Sequence, residues 1–241
     1  MKTNQLLKKS IYLLAFIALI SFTGCEENKD DEIQLEGIYI VNEGQFNNNN
    51  GSISLLDPET NAVSQNYFQQ QNSRSLGDIV QDLSFYKDRG FIVVNNSKKI
   101  EIVDKQSFET IGVIGNLSYP RQFEAISDSK GYLTNGTSAN GENGHVLVTD
   151  LENYTVIDSI EVGKGPESLI KLDNKVFVTN AGGYSVGNTI SVINTSTDKV
   201  VETIEVANVP SDIVKDKNNN IWVYCKGDLN WDTYNYENAK I

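Results

Sequence analysis

The stretch VFVTNAGGYSVGNTISVIN, Val176 to Asn194, holds two apolar segments with β-branched residues on either side of an eight-residue, glycine-rich gap. Alternation with Val, Ile and Thr marks both segments as strands. The gap is longer than a tight hairpin needs. Working outward, Ser168 to Leu172 reads as the strand before the pair and Val200 to Val206 as the strand after it. The unit is therefore four strands.

That unit recurs. Segments of the same form end at Asn42 (IYIVN), Asn95 (FIVVN), Asn135 (YLTN), Asn180 (VFVTN) and Cys225 (IWVYC), at spacings of 53, 40, 45 and 45 residues. A period near 45 with four short strands is the size of one β-propeller blade. The turn before the fourth strand opens with Asp57, Asp104, Asp150 or Asn194. An Asx side chain there accepts from backbone N–H groups two residues on, which assigns these acids to structure and not to chemistry. Pro120, Pro166 and Pro210 stand before the first strand of their units, as suits a residue that cannot donate to a ladder, and Gly77 takes that place in the second unit.

The expected fold is all-β, a propeller of four-stranded antiparallel blades over residues 36–241. Ile38 to Asn42 matches the second strand of a unit, so the innermost strand of the first blade is missing. The chain stops at AKI, where the third strand of the fifth unit begins. About four and a half blades are present, and two unpaired edges would face water. The reading that follows is an incomplete version of a seven-bladed ring; an open five-unit solenoid covered by another chain is the alternative.

The first residues are an address. Lys2, Lys8 and Lys9 precede an apolar run from Ile11 to Phe22, too short to span a bilayer but suited to a signal peptide over residues 1–24. Thr23-Gly24-Cys25 resembles a bacterial lipobox, which makes Cys25 a lipidation site, with a simple signal peptide as the alternative. Residues 25–35 form an acidic tether that must stay solvated. Its Lys29-Asp30-Asp31 resembles the signal by which Bacteroidota place lipoproteins on the outer face of the outer membrane; an ordinary tether is the other reading.

Without residues 1–24 the chain carries 17 basic and 32 acidic residues, a net charge of −15. That balance excludes nucleic acid as a partner, because phosphate backbones need a basic footprint. With Cys25 lipidated, Cys225 has no disulfide partner and reads as a buried, inert thiol.

The units ending in TIEVANVPSD and SIEVGKGPES resemble the YVTN/YncE-type propeller repeat. GIYIVNEGQF, LGDIVQDLSF, GFIVVNNSKKIEIVD and YPRQFEAISD further resemble surface lipoproteins of Bacteroidota, a group that includes the cobalamin-capturing partner of the outer-membrane vitamin transporter. The resemblance implies a small-molecule ligand, a corrinoid, handed to an outer-membrane transporter; the lipobox makes lipid the only membrane attachment, and the sequence offers no evidence of a bound cofactor.

In such blades the loop between the second and third strands shares a face with the link to the next blade. The gap AGGYSVGN is one of these loops; its counterparts are EGQFNNNNGS, NSKK, GTSANGENG and KGDLNWDTYNYEN. They vary while the strands do not, which suits a binding surface on a repeating scaffold, though drift gives the same pattern. Aromatic side chains in them, Phe46, Tyr184, Trp231, Tyr234 and Tyr236, supply contact area. Glu43 and the link residues Arg121, Glu167 and Ser211 complete the candidate binding set. Asn42, Asn95, Asn135 and Asn180 are expected to bond the loops that follow them.

Enzyme readings are thinner. His145 is the single histidine, so a multi-histidine metal centre is excluded, and no GxSxG nucleophile motif occurs. No catalytic or metal-ligating residue is assigned. Glu43, Glu142 and Asp228 could hold a divalent cation in the manner of propeller lactonases, which leaves that activity, and protein or glycan adhesion, as rivals to ligand capture.

Overall fold

The computed structural model describes residues 37–136, 138, 141–230 and 232–241; Cys25, the tether and Trp231 lie outside the described residues. The first sheet runs β1 (Ile38–Asn42), β2 (Ser52–Leu56) and β3 (Val63–Ser64). The second is β4 (Val80–Tyr86), β5 (Arg89–Val94), β6 (Lys99–Asp104) and β7 (Thr110–Ile114). The third is β8 (Tyr119–Ala125), β9 (Lys130–Gly136), β10 (His145–Asp150) and β11 (Thr155–Glu161). The fourth is β12 (Pro166–Leu172), β13 (Lys175–Asn180), β14 (Thr189–Asn194) and β15 (Lys199–Glu205). A two-stranded sheet of β16 (Pro210–Lys215) and β17 (Ile221–Cys225) follows, then the hairpin β18 (Asp228–Asn230) and β19 (Asn235–Glu237).

Every pairing is antiparallel, and β4, β8, β12 and β16 contact one another in succession as the inner strands of consecutive blades. Among the described residues the first sheet has no inner strand before β1. In the fifth unit Cys225 and Lys240 exchange backbone hydrogen bonds of 2.8 and 2.9 Å, an isolated antiparallel bridge at the place expected for a third strand. What reads in the sequence as a long loop before it is folded as the β18–β19 hairpin.

The cores lie between blades. Because side chains alternate along a strand, Phe91 and Val93 of β5 enter the core shared with the third blade, while Ile92 and Val94 enter the core shared with the first. Tyr132 and Leu133 divide in the same way between the second and third interfaces. A strand buried on both faces has no polar side, which is why FIVVN and VFVTN read as near-continuous apolar runs. Phe91 stacks on Phe123 with ring centroids 4.5 Å apart. The predicted Asx turns form: Asp57, Asp104, Asp150 and Asn194 each accept from the N–H groups two and three residues ahead, at 2.7–3.2 Å.

The 53-residue spacing of the first unit has a local cause. Residues 65–79 carry a helix, α1 (Tyr67–Asn72), which places Phe68 in the first interblade core. Asn72 donates to Phe108 O at 2.9 Å and accepts from Thr110 N at 2.8 Å, fastening the helix to the second blade. Arg74, just beyond, pairs with the fully buried Glu101, which Lys99 also contacts at 2.6 Å.

The proline register needs one correction. Pro120, Pro166 and Pro210 pair with Asn135, Asn180 and Cys225, and the residue so placed in the second blade is Val80, opposite Val94, not Gly77. The residue just before it is left-handed in three blades: Ile79 (φ 57), Gly165 (φ 56) and Val209 (φ 55). Two of these are β-branched, for which that region is costly.

Two of the three left-handed residues, Gly165 and Val209, serve both neighbours. Gly165 donates to Gly141 O at 2.7 Å and accepts from Ala181 N at 2.9 Å; Val209 donates to Gly187 O at 2.8 Å and accepts from Lys226 N at 2.9 Å. The loops of the third, fourth and fifth units are thereby joined through the links between them. A Cβ on Gly165 would lie 2.2 Å from Gly183 N and one on Gly187 2.1 Å from Asn180 O. The glycines of AGGYSVGN therefore serve close backbone approach. Gly165→Ala should lower stability by at least about 2 kcal/mol, combining a left-handed alanine with a backbone clash, and a shifted urea midpoint with an unchanged m-value is the expected reading.

Candidate functional site

Each complete inner strand carries a one-residue bulge just past the proline position, between Val80 and Asp82, Pro120 and Phe123, Pro166 and Leu169, and Pro210 and Asp212. A bulge re-aims the side chains beside it and increases local twist. Threonines on the next strand hold two of them: Thr134 Oγ1 accepts from Gln122 N and Thr179 Oγ1 from Ser168 N, both at 2.9 Å. The residue following the proline position is thus repeated blade after blade as Gln81, Arg121, Glu167 and Ser211.

These four positions form a polar row across neighbouring inner strands. Arg121 Nε lies 3.0 Å from both carboxylate oxygens of Glu167, and the guanidinium makes a second contact through Nη2. Gln81 Nε2 donates to Glu43 Oε1 at 2.6 Å, which brings the first blade's loop onto the second blade's inner strand. Ser211 O accepts from Ser168 Oγ at 3.3 Å. Arg121, Glu167, Ser211 and Glu43 are named from the sequence; Gln81 is missed. The signal for it was the position after the proline, hidden because Val80 stands where the other blades have proline.

One residue further on, side chains cross between blades. Asp82 Oδ2 accepts from Phe123 N at 3.1 Å and Gln122 Oε1 from Leu169 N at 2.7 Å. Burial pushes the Asp82 carboxyl up to about 6, with the Phe123 and Leu83 N–H groups holding it from going higher. Glu124 is also raised, chiefly by burial and further by the Asp82 charge, against the pull of Lys171 and Lys215.

The aromatic members are not drawn together. Phe46, Tyr184 and Tyr234 are 66%, 79% and 77% exposed and belong to three different loops, with no ring stacking between them among the described residues. Tyr236, on β19, is also exposed, with the Lys226 ammonium 5.9 Å from its ring centroid. Asp228 accepts from Asn208 at 2.6 Å. Among the described residues the side chains of the strand-end asparagines do not bond the loops after them as expected. Asn95 donates to Pro120 O on the next blade, Asn135 accepts from Ser118 and Tyr119 N, and Asn42 and Asn180 reach the hydroxyls of Ser54, Thr189 and Ser191 on the third strand. His145 opens β10. Cys225 is buried, and burial pushes its thiol up, away from a reactive thiolate. Among the described residues no three Cys, His, Asp or Glu side chains converge as a metal site, and no helix is long and apolar enough to cross a membrane.

Four-stranded antiparallel blades whose inner strands follow one another define the class, a β-propeller with a polar row on its inner strands. The chain belongs to the family described as domain of unknown function DUF5074, which matches residues 36–240. No curated protein matches it. Similar solved structures are hydrazine synthase of Kuenenia stuttgartiensis (18% identity, TM-score 0.59, 72% of this chain and 49% of that one) and the Cps50 (Swd1) β-propeller domain of Myceliophteria thermophila (9%, 0.55, 73% and 56%). A third is a Bacteroides caccae protein of unknown function (12%, 0.55, 85% and 72%). The chain thus spans about half the length of the first two, and at these identities the likeness is one of fold.

The raised Asp82 carboxyl carries a pH signature. Between the ordinary value of 3.8 and about 6 the folded protein keeps a proton that the unfolded chain has released, so stability falls as pH rises through that window. Asp82→Asn keeps an oxygen for Phe123 N and removes the titration. Relative to this variant, the natural protein should lose about 2–3 kcal/mol between pH 4 and pH 6.5 in urea unfolding.

Proposed function

We propose that this protein is a non-enzymatic capture propeller, anchored by lipid at Cys25 on the outer face of the outer membrane. Its loop face binds a small molecule, a corrinoid such as cobalamin, for hand-over to an outer-membrane transporter. The observation that carries the reading is the inner-strand row of Gln81, Arg121, Glu167 and Ser211, one polar side chain per blade, with Glu43 reaching onto it. Exposed Phe46, Tyr184 and Tyr234 in the surrounding loops, and Trp231 from the sequence, offer flat surfaces for a large ring system. The choice of a corrinoid rests on the sequence resemblance, since fold does not fix ligand.

In this reading the apolar faces left exposed on the first and fifth units, Ile38, Ile40 and Val63 on one and Val214, Trp222 and Tyr224 on the other, offer surfaces for a further contact. A second reading, adhesion to a glycan or protein, draws on the exposed tyrosines of the β18–β19 hairpin. Lactone hydrolysis has no converging metal ligands to support it among the described residues.

Titration of cyanocobalamin into the lipid-free protein from Glu26 onward, followed by calorimetry, tests the proposal. Saturable binding is expected, weakened about tenfold or more when Arg121 and Glu167 are both changed to alanine. Loss of one polar anchor in a desolvated site is worth about that much. No heat with any corrinoid, alongside hits on a glycan array, would move the assignment to adhesion.

A further inference from the structure

The hydrogen-bonding capacity left over in the polar row limits the kind of group it can hold. Arg121 engages Glu167 through Nε and Nη2. A guanidinium carries further N–H donors and a carboxylate further acceptor positions, so the pair spends only part of what it has. Nη1 of Arg121 has no partner among the described residues, and the Glu167 carboxylate accepts there from Arg121 alone. Both side chains keep access to solvent, at 34% and 27% exposure.

The neighbouring pair follows the same pattern. Gln81 Nε2 donates to Glu43 Oε1 at 2.6 Å, while the Gln81 amide oxygen and the second Glu43 oxygen are without a partner among the described residues. Donors and acceptors therefore stand side by side along the row, and its one cation already has a counter-ion. An anionic group would gain the Arg121 donors but meet Glu167 and Glu43, in a chain of net negative charge. An ester supplies no donor for the carboxylates. A primary carboxamide supplies both partners: its oxygen accepts from Arg121 Nη1 and its N–H donates to Glu167, with the ion pair intact.

We infer that the row selects primary carboxamides, the groups carried around the rim of a corrinoid, with Arg121 and Glu167 as the specificity-determining pair. The inference rests on the ligand-capture reading above and adds to it the group that is recognised.

Competition against cyanocobalamin, followed by calorimetry on the lipid-free protein from Glu26 onward, tests it with one dicyanocobyrinic acid core carrying amides, methyl esters or free carboxylates at the rim. The amide form should bind at least about tenfold more tightly than the ester, the worth of one hydrogen bond to a charged group. The carboxylate form should be the weakest. Glu167→Gln keeps an oxygen for Arg121, removes the repelling charge and offers a donor of its own, so it should narrow both gaps. A residue that only supported the fold would weaken every form alike. The comparison on the natural protein carries the test by itself if Glu167→Gln does not fold. Equal binding of the amide, ester and carboxylate forms, or an amide preference that Glu167→Gln leaves unchanged, overturns this inference and leaves capture standing. Binding of none of them, cyanocobalamin included, overturns both.

Discussion

The structure depends on burying both faces of each blade. A single antiparallel sheet can leave one face to water, but here alternate residues of one strand serve two different cores, Phe91 and Val93 on one side, Ile92 and Val94 on the other. No blade owns a core, and each is stabilised only by its neighbours. The inner strands must therefore follow one another closely, which sets the polar row of Gln81, Arg121, Glu167 and Ser211 across adjacent strands. The same constraint explains why the first and fifth units, each with a neighbour on one side only among the described residues, show their apolar side chains to solvent.

Much of this was legible in the sequence because it is local. Alternation, the Asx heads of the turns and the spacing of Pro120, Pro166 and Pro210 are properties of a few consecutive residues, and a repeat multiplies each signal. What was hidden depends on partners. The bulge after each proline exists only relative to the strand opposite, so Val80 could not be recognised as the counterpart of Pro120, and Gln81 went unseen with it. The strand-end asparagines were assigned to the loops beside them, whereas Asn95 and Asn135 bond the entry to an inner strand and Asn42 and Asn180 the third strand. Residues 226–238 read as a loop because β18 and β19 are three residues each, too short to show a period.

The same distinction runs through the candidate site. Link residues named for their position, Arg121, Glu167 and Ser211, fall in one row because a register repeats them. The aromatics named for their chemistry stand apart, because loop side chains answer to no repeat.

The sewing of links to loops has a consequence for how such a face can change. Gly165 and Val209 each engage the loop before and the loop after, so adjacent loops share one backbone framework. Lengthening or re-routing a loop at its ends would disturb its neighbours as well. Exchanging a side chain at a loop tip, such as Phe46, Tyr184 or Tyr234, would not. Diversification of this surface is therefore cheapest by substitution at fixed backbone positions, much as a keyboard takes new keycaps without a new frame.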